Sequence, residues 1–281
     1  MKPVKQPNPI RRTQWKNCER AAVAAARAAG QLIRRNLHAA KKVNAESSHD
    51  IKLELDVRSQ RLIATRLRRA FPDVALLGEE GVAGAPDAAA RWVVDPIDGT
   101  VNFAHGIPHA CVAIALQVRR PGPAPVPDRH GAGFETVVGV IYDPFTDELW
   151  TARRGGPARL NGRVIRVSPI RRLPQSIVSI GFAKNRSSLE QALPCFLWLA
   201  RRVRKIRMMG SAALGLAYVA SGRFEAYVER GIYLWDIAAG GLILECAGGT
   251  FWRKPLEEAN RFRMVASNGL IHRSLPRRIA G

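Results

Sequence analysis

The stretch RWVVDPIDGTVNF, residues 91–103, decides how this chain is read. Its apolar run Trp92, Val93, Val94 has the character of a buried strand that delivers Asp95 at its C-terminal end. Pro96 biases Asp95 away from helical geometry and presets a tight turn over Pro96 and Ile97. That turn is expected to bring Asp98 back beside Asp95, with the Ile97 carbonyl between them. Gly99 and Thr100 follow at an expected helix N-terminus, where N–H groups and the helix dipole favour an anion. Carboxylates, a carbonyl, a hydroxyl and an anion cradle in one short segment suit a hard cation and a phosphate. An ordinary Asx–Pro turn with a capping Asp98 accounts for DPxDG alone equally well.

WVVDPIDGTVNF closely resembles the central motif of the inositol monophosphatase family, magnesium-dependent phosphatases related to fructose-1,6-bisphosphatase. Two further segments match in order and separation. GEE, residues 78–80, looks like the family's upstream acidic motif, and WDIAAGGLILECAGG, residues 235–249, looks like its C-terminal motif. The resemblance implies an α+β fold, a layered α-β-α-β-α sandwich of the sugar-phosphatase type. It would divide into a flexible basic arm (1–14), an N-terminal α+β half (15–172) and a C-terminal α/β half (173–281), with the site between the halves. Periodicity alone supports only a mixture of helix and strand.

By the same resemblance, Glu79, Asp95, the Ile97 carbonyl and Thr100 hold one Mg²⁺. Asp95, Asp98 and Asp236 hold a second, and a weak third ion belongs to the family pattern. Thr100, hydrogen-bonded to Asp56, would position and deprotonate the attacking water, with Glu80 supporting Glu79. The N–H groups of Gly99 and Thr100 would hold phosphate. Asp98, Asp236, Gly210, Ser211, Ala212 and Glu229 would face the sugar or polyol. The implied reaction is hydrolysis of a small phosphorylated polyol or sugar, inositol monophosphate foremost. Histidinol phosphate, fructose 1,6-bisphosphate and phosphoadenosine phosphate are the alternatives, and the implied assembly is a homodimer. Three positions depart from the family pattern. Leu53 stands where many members carry Thr, Tyr233 where some have His, and Lys41, Lys42 and Lys52 only neighbour the mobile-loop lysine.

At 281 residues and 47% hydrophobic content, the chain is long and apolar enough for a substantial core. Cys18, Cys111, Cys195 and Cys246 lack CxxC spacing and read as reduced thiols of a cytoplasmic protein. No run reaches membrane-spanning length, so no membrane partner is expected. The net charge of +21 is unevenly placed. Residues 1–42 carry eleven Lys and Arg against Glu19, a balance of +10, whereas residues 73–98 carry six acids against Arg91, a balance of −5. An acidic island in a basic chain suggests a cation there, and the basic remainder could steer phosphorylated substrates. A second class of function, RNA binding or regulation through the basic surface, is motivated by the N-terminal arm and by RRVRKIR, residues 201–207.

Along the chain, residues 15–37 carry apolar positions at helical spacing, and a second helix is expected from Asp56, its N-cap, to Ala70. Strands are expected over 50–55, 75–77, 110–118, 137–142, 148–152 and 173–182, with a strand ending at Glu229. Asn161-Gly162 marks a hairpin, and Pro-rich 119–133 an extended loop. Residues 210–221 read as a helix, Asp236 as the N-cap of a helix over 237–246, and 264–279 as a last strand and helix. His105 and His109 are spaced as ligands on one helical face, but Pro108 between them argues against that face.

Overall fold

The computed structural model describes residues 10–46, 51–85, 88–120, 133–182 and 186–275. After a 3₁₀ turn at Arg12–Gln14, α1 (Trp15–Arg35) leads through the antiparallel pair β1 (Val43–Glu46) and β2 (Ile51–Leu53) to α2 (Glu54–Ala70). β3 (Ala75–Gly78), β4 (Gly81–Ala83) and β5 (Ala90–Asp98) precede the short α3 (Thr100–Ala104). β6 (Cys111–Arg119), β7 (Phe134–Asp143), β8 (Glu148–Arg153), β9 (Arg159–Leu160) and β10 (Arg163–Val164) follow. Then come β11 (Ile177–Phe182), α4 (Arg186–Ala200), β12 (Lys205–Arg207), α5 (Ala212–Ala220) and β13 (Ala226–Tyr233). The chain closes with α6 (Leu234–Cys246), β14 (Thr250–Pro255) and β15 (Arg261–Ser267).

Strand alternation sorts these elements into layers. In β6, Val112, Ile114 and Leu116 join α1 and α2 in one core, while Cys111, Ala113 and Ala115 join α5 and α6 in another. The large sheet, ordered β10-β9-β8-β7-β6-β5-β3-β4, is therefore covered on both faces. A five-stranded sheet, β12-β11-β13-β15-β14, covers the far side of α5 and α6, and its own outer face packs under α4. The result is the five-layered α-β-α-β-α sandwich. A helix in the middle layer meets apolar surface all round, which is why α6 buries every residue from Ile237 to Leu244. Small residues allow the close approach. A Cβ on Gly139 of β7 would lie 2.7 Å from the Ala239 carbonyl oxygen of α6.

Several local expectations change. α2 begins at Glu54 with Leu53 as N-cap, so Asp56 is the third helical residue rather than the cap, and its carboxylate accepts the Leu53 N–H at 2.8 Å. α6 likewise begins at Leu234, and Asp236 accepts the Tyr233 N–H at 2.8 Å from the third position. In both cases the carboxylate bonds back to the cap residue, as the second half of a capping box does. β13 runs through Glu229 to Tyr233. Unassigned by pattern were the short strands β1 and β4, α4, whose Pro194 masks its helical period, and β14. The helix expected near the C-terminus is only a 3₁₀ turn, His272–Ser274, among the described residues. Ile10, expected in the loose arm, packs against the α1–α2 core. The Pro-rich loop lies largely outside the described residues. The Asn161-Gly162 hairpin is present, with both residues at positive φ as a two-residue turn of this hand requires. The four cysteines are free thiols, and no described helix is long and apolar enough to cross a membrane.

Gly139→Ala is expected to destabilise the protein by about 1–3 kcal/mol, the usual cost of overpacking a filled core. The clashing neighbour is backbone, so no side-chain rotation relieves it. A urea melt of the two proteins checks this; an unchanged midpoint would show that α6 has room to move off the sheet.

Candidate active site

The site begins with an irregularity in β5. Asp95 pairs with Ala113 and Asp98 with Cys111, so three steps on β5 oppose two on β6. One extra residue makes a bulge. The expected turn over Pro96 and Ile97 is thus a bulge within a continuing strand; Pro96 has no N–H for the ladder, and the Asp95 carboxylate accepts the Ile97 N–H at 3.0 Å. The bulge brings Asp95 and Asp98 to the same place. With Asp236 from the first turn of α6 they form a triad whose carboxylate oxygens lie within 4.8 Å of one another.

Asp98 has a further task. Its carboxylate accepts the Ala212 N–H at 3.1 Å, the Ala213 N–H at 2.7 Å and the Ser211 hydroxyl. It therefore caps α5 from across the molecule. The Ser211 hydroxyl and the Ala212 N–H, in the segment expected to line the substrate site, donate to Asp98. Gly99, at φ 93°, turns the chain into α3, where any Cβ would meet the His109 carbonyl at 2.9 Å. α3 has only five residues, so its dipole is slight and any hold on an anion rests on local N–H groups. The Thr100 hydroxyl lies 2.8 Å from the Ile97 carbonyl and 3.4 Å from Asp56 Oδ1.

A cleft of about 370 Å³ unites these groups. Of the residues singled out in the sequence, Glu79, Asp95, Ile97, Asp98, Gly99, Thr100, Gly210, Ser211, Ala212, Glu229 and Asp236 line it. Asp56 and Glu80 do not; Asp56 stands behind Thr100, and the Glu80 N–H donates to Gln60 at 3.0 Å. His105 and His109 contribute no ligand to the triad. Lys41 donates to the carbonyls of Asn36, Leu37 and Ala39 beyond the end of α1, and Lys42 pairs with Glu54 at 3.0 Å, so neither reaches toward the cleft.

The pattern-based reading missed the residues that brace this site. Gln60 holds the Glu80 and Gly81 backbone, Ser59 donates to the Pro96 carbonyl at 3.2 Å, and Asn102 donates to the carbonyls of His109 and Met209. The Tyr227 hydroxyl donates to Glu229, and Gly181 leaves the space that Glu229 fills. Polar residues on the buried face of α2 were the available signal for Ser59 and Gln60; the others are tertiary contacts without one.

Electrostatics make the triad costly without a cation. Burial, then repulsion from neighbouring carboxylates, raises Asp95 and Asp236 well above the ordinary range, and burial raises Asp98 against its hydrogen bonds. Burial lifts Asp56 to about 7, as it does Glu229. The donors are all hard oxygens, carboxylate, carbonyl and hydroxyl, which fits a Mg²⁺-class cation rather than a thiolate-seeking metal.

Comparison with known proteins finds relatives over most of the chain. The sequence profile described as the inositol monophosphatase family matches residues 14–275. A protein named Nus factor SuhB from Xylella fastidiosa is 40% identical over 230 residues, covering 81% of this chain and 78% of its own. An inositol-1-monophosphatase from Rhizobium meliloti is 38% identical over 244 residues, covering 83% of this chain and 84% of its own. Among solved structures, the SuhB protein of Bartonella henselae superposes with a TM-score of 0.82 at 33% identity, covering 94% of this chain and 98% of its own. An inositol monophosphatase from Anabaena gives 0.78 at 35%, covering 95% of this chain and 96% of its own.

The raised carboxylates fix the sign of a pH effect. A group whose folded pKa exceeds its unfolded value binds more protons when folded, so stability falls as pH rises between the two values. In chelator, stability is therefore expected to decline from about pH 4, where unfolded carboxylates titrate, toward pH 7, where Asp56 and Glu229 do so in the fold. Added Mg²⁺ should flatten that decline. Thermal melts across this range, with and without Mg²⁺, decide it; identical profiles would mean that no cation relieves the cluster.

Proposed function

The chain belongs to the inositol monophosphatase family, and from this we propose a divalent-cation-dependent phosphomonoesterase acting on a small phosphorylated polyol or sugar, with inositol monophosphate foremost. The supporting observation is the buried triad Asp95, Asp98 and Asp236, opening on the same cleft as Glu79 and Thr100. By the family pattern, Glu79, the Ile97 carbonyl and Thr100 would hold one cation and Asp98 and Asp236 a second, with Asp95 shared between them. Mg²⁺ bound there would neutralise phosphate oxygens, acidify water and stabilise the departing alkoxide.

The chain's own groups supply positioning and proton transfer. The Thr100 hydroxyl has one proton and two acceptors, Ile97 and Asp56. Passing that proton to Asp56 lets the Thr100 oxygen take one from a water in the cleft. A carboxylate lifted to about 7 is matched to that exchange near neutral pH. The N–H groups of Gly99 and Thr100 hold phosphoryl oxygens, while Glu229, oriented by Tyr227, accepts from the substrate's hydroxyls. Assembly as a homodimer is proposed on the exposed apolar stripe Leu189, Leu193 and Leu197 of α4.

A second reading adds polyanion binding to catalysis. It is favoured by the relatives named Nus factor SuhB and by Arg201, Arg202, Arg204, Lys205 and Arg207, all exposed at and beside edge strand β12. Its signature is a steep fall of log affinity for RNA with log salt concentration.

A screen of about a dozen phosphomonoesters with and without Mg²⁺ tests the main reading, in the manner of assigning a reaction class from a site. Chelator-resistant turnover of every hydrolysed substrate would sink it. Asp95→Asn should abolish activity and weaken Mg²⁺ binding most, since Asp95 serves both donor sets. Asp236→Asn should be severely impaired but partly recover at high Mg²⁺. Thr100→Ala should lower kcat by at least about 100-fold, the scale of lost proton transfer, with a smaller change in Mg²⁺ dependence than either aspartate variant shows. Equal Mg²⁺ dependence in all three would mean that these residues serve only turns and caps.

A further inference from the structure

The outer face of the small sheet carries an arrangement that phosphate-ester hydrolysis does not use. Arg230 of β13 is paired directly with Arg263 of β15, and Arg263 directly with Lys254 of β14. Directly paired residues on adjacent strands share a face and stand about 4.5–5.5 Å apart, and like charges so placed repel. The face is the outer one. Val228, Val265 and Trp252 lie two residues from the three cations and pack in the core beneath α4. Glu229, one step along β13, faces the catalytic cleft on the opposite side.

The central cation is the most enclosed. Arg263 is only 9% exposed, its guanidinium lies over the Trp252 ring at 5.7 Å, and its Nε has no hydrogen-bond partner. A buried donor left unmade is expensive, more so on a charged group. No described carboxylate is paired with it. On the nearby turn, Glu258 is engaged with Arg261 and the Tyr233 hydroxyl, while Glu257 is exposed. A cleft of about 760 Å³ opens over the row, walled by Gln191 of α4 and by the β14–β15 turn.

We propose that Arg230, Arg263 and Lys254 form a second anion site, on the opposite face of β13 from the catalytic cleft, for a multiply charged small oxyanion of the phosphate class. Guanidinium forks match such oxygens in geometry and charge, and an ammonium adds a third positive charge. An oxyanion there satisfies the Arg263 donor and neutralises the row in one step. The cleft is large enough for a pyrophosphate or a phosphorylated small molecule as well as phosphate itself. The site stands independently of the catalytic reading.

The test uses the intact chain in chelator, where the acidic catalytic cleft repels anions. Pyrophosphate, inorganic phosphate, a sugar phosphate and chloride are titrated at matched ionic strength, by calorimetry and by thermal melt. Saturable heat and a rise in Tm are expected for the phosphate-class anions and not for chloride, because a ligand of the native state stabilises it by mass action. Comparing phosphate with the sugar phosphate shows whether the free anion or an ester is preferred. Arg230→Gln and Lys254→Gln should each weaken binding by about tenfold or more, on the order of one charge-assisted hydrogen bond. Both are accessible enough to be replaced without opening the core; Arg263→Met adds a third case if it folds. Asp95→Asn should leave this binding unchanged. Equal responses in wild type and Arg230→Gln, an equal effect of chloride, loss of binding in Asp95→Asn, or binding of single-stranded RNA without binding of any small phosphate would each overturn the proposal.

Discussion

Three carboxylates that burial and mutual repulsion both oppose are held within 4.8 Å of one another, and much of the structure serves to keep them there. The means is the backbone. Asp95 accepts the Ile97 N–H, Asp98 the N–H groups of Ala212 and Ala213, and Asp236 the Tyr233 N–H. Asp56 behind them accepts the Leu53 N–H. Each acid is aimed by a main-chain donor, which cannot swing away as a side chain can. A negatively charged cavity is thereby pre-organised for a cation at the cost of stability in the cation's absence.

That aiming requires distant elements to be in register. Asp98 closes the N-terminus of α5, and Asn102, just beyond it, ties to the Met209 carbonyl ahead of the same helix. Asp236 rides on α6, which lies against β7 because Gly139 admits the Ala239 carbonyl. The large sheet, the middle helices and the small sheet therefore meet at the cleft through hydrogen bonds to acids as well as through the apolar core. Loss of Asp98 or Asp236 disturbs a helix terminus as well as the acidic triad, so measured effects of such substitutions will not be additive.

The small sheet presents opposite charges on its two faces. β13 turns Glu229 toward the catalytic cleft and Arg230 away from it, toward Arg263 and Lys254. A strand of period two can serve two chemistries at once, because neighbouring residues face different solvent compartments. In a chain of net charge +21, three of the cations are thus placed as specifically as the acidic cluster.

Much of the site was legible along the chain, because strong constraints act locally there. DPIDGT places a proline, a positive-φ glycine and two acids within one segment, and few backbone paths satisfy them together. The apolar periods of α1 and β6 and the turn at Asn161-Gly162 were equally local. What the residues 91–103 did not reveal was that their turn is a bulge in a continuing strand, since a bulge exists only against its partner β6. Helix starts at Glu54 and Leu234 escaped for a related reason: a carboxylate at the third position bonds back to the cap, and by pattern alone it resembles the cap itself. α4 was hidden by Pro194, and the hydrogen bonds of Ser211 and Ala212 to Asp98 could not be foreseen because they span more than a hundred residues. The row that holds Arg263, with its unpartnered Nε, is likewise visible only once β13, β14 and β15 are laid side by side. The motifs along the chain were enough to name most of the residues that line the cleft; which of their oxygens and N–H groups are already engaged was set by the tertiary fold, because hydrogen-bond partners far apart in the chain are chosen by packing.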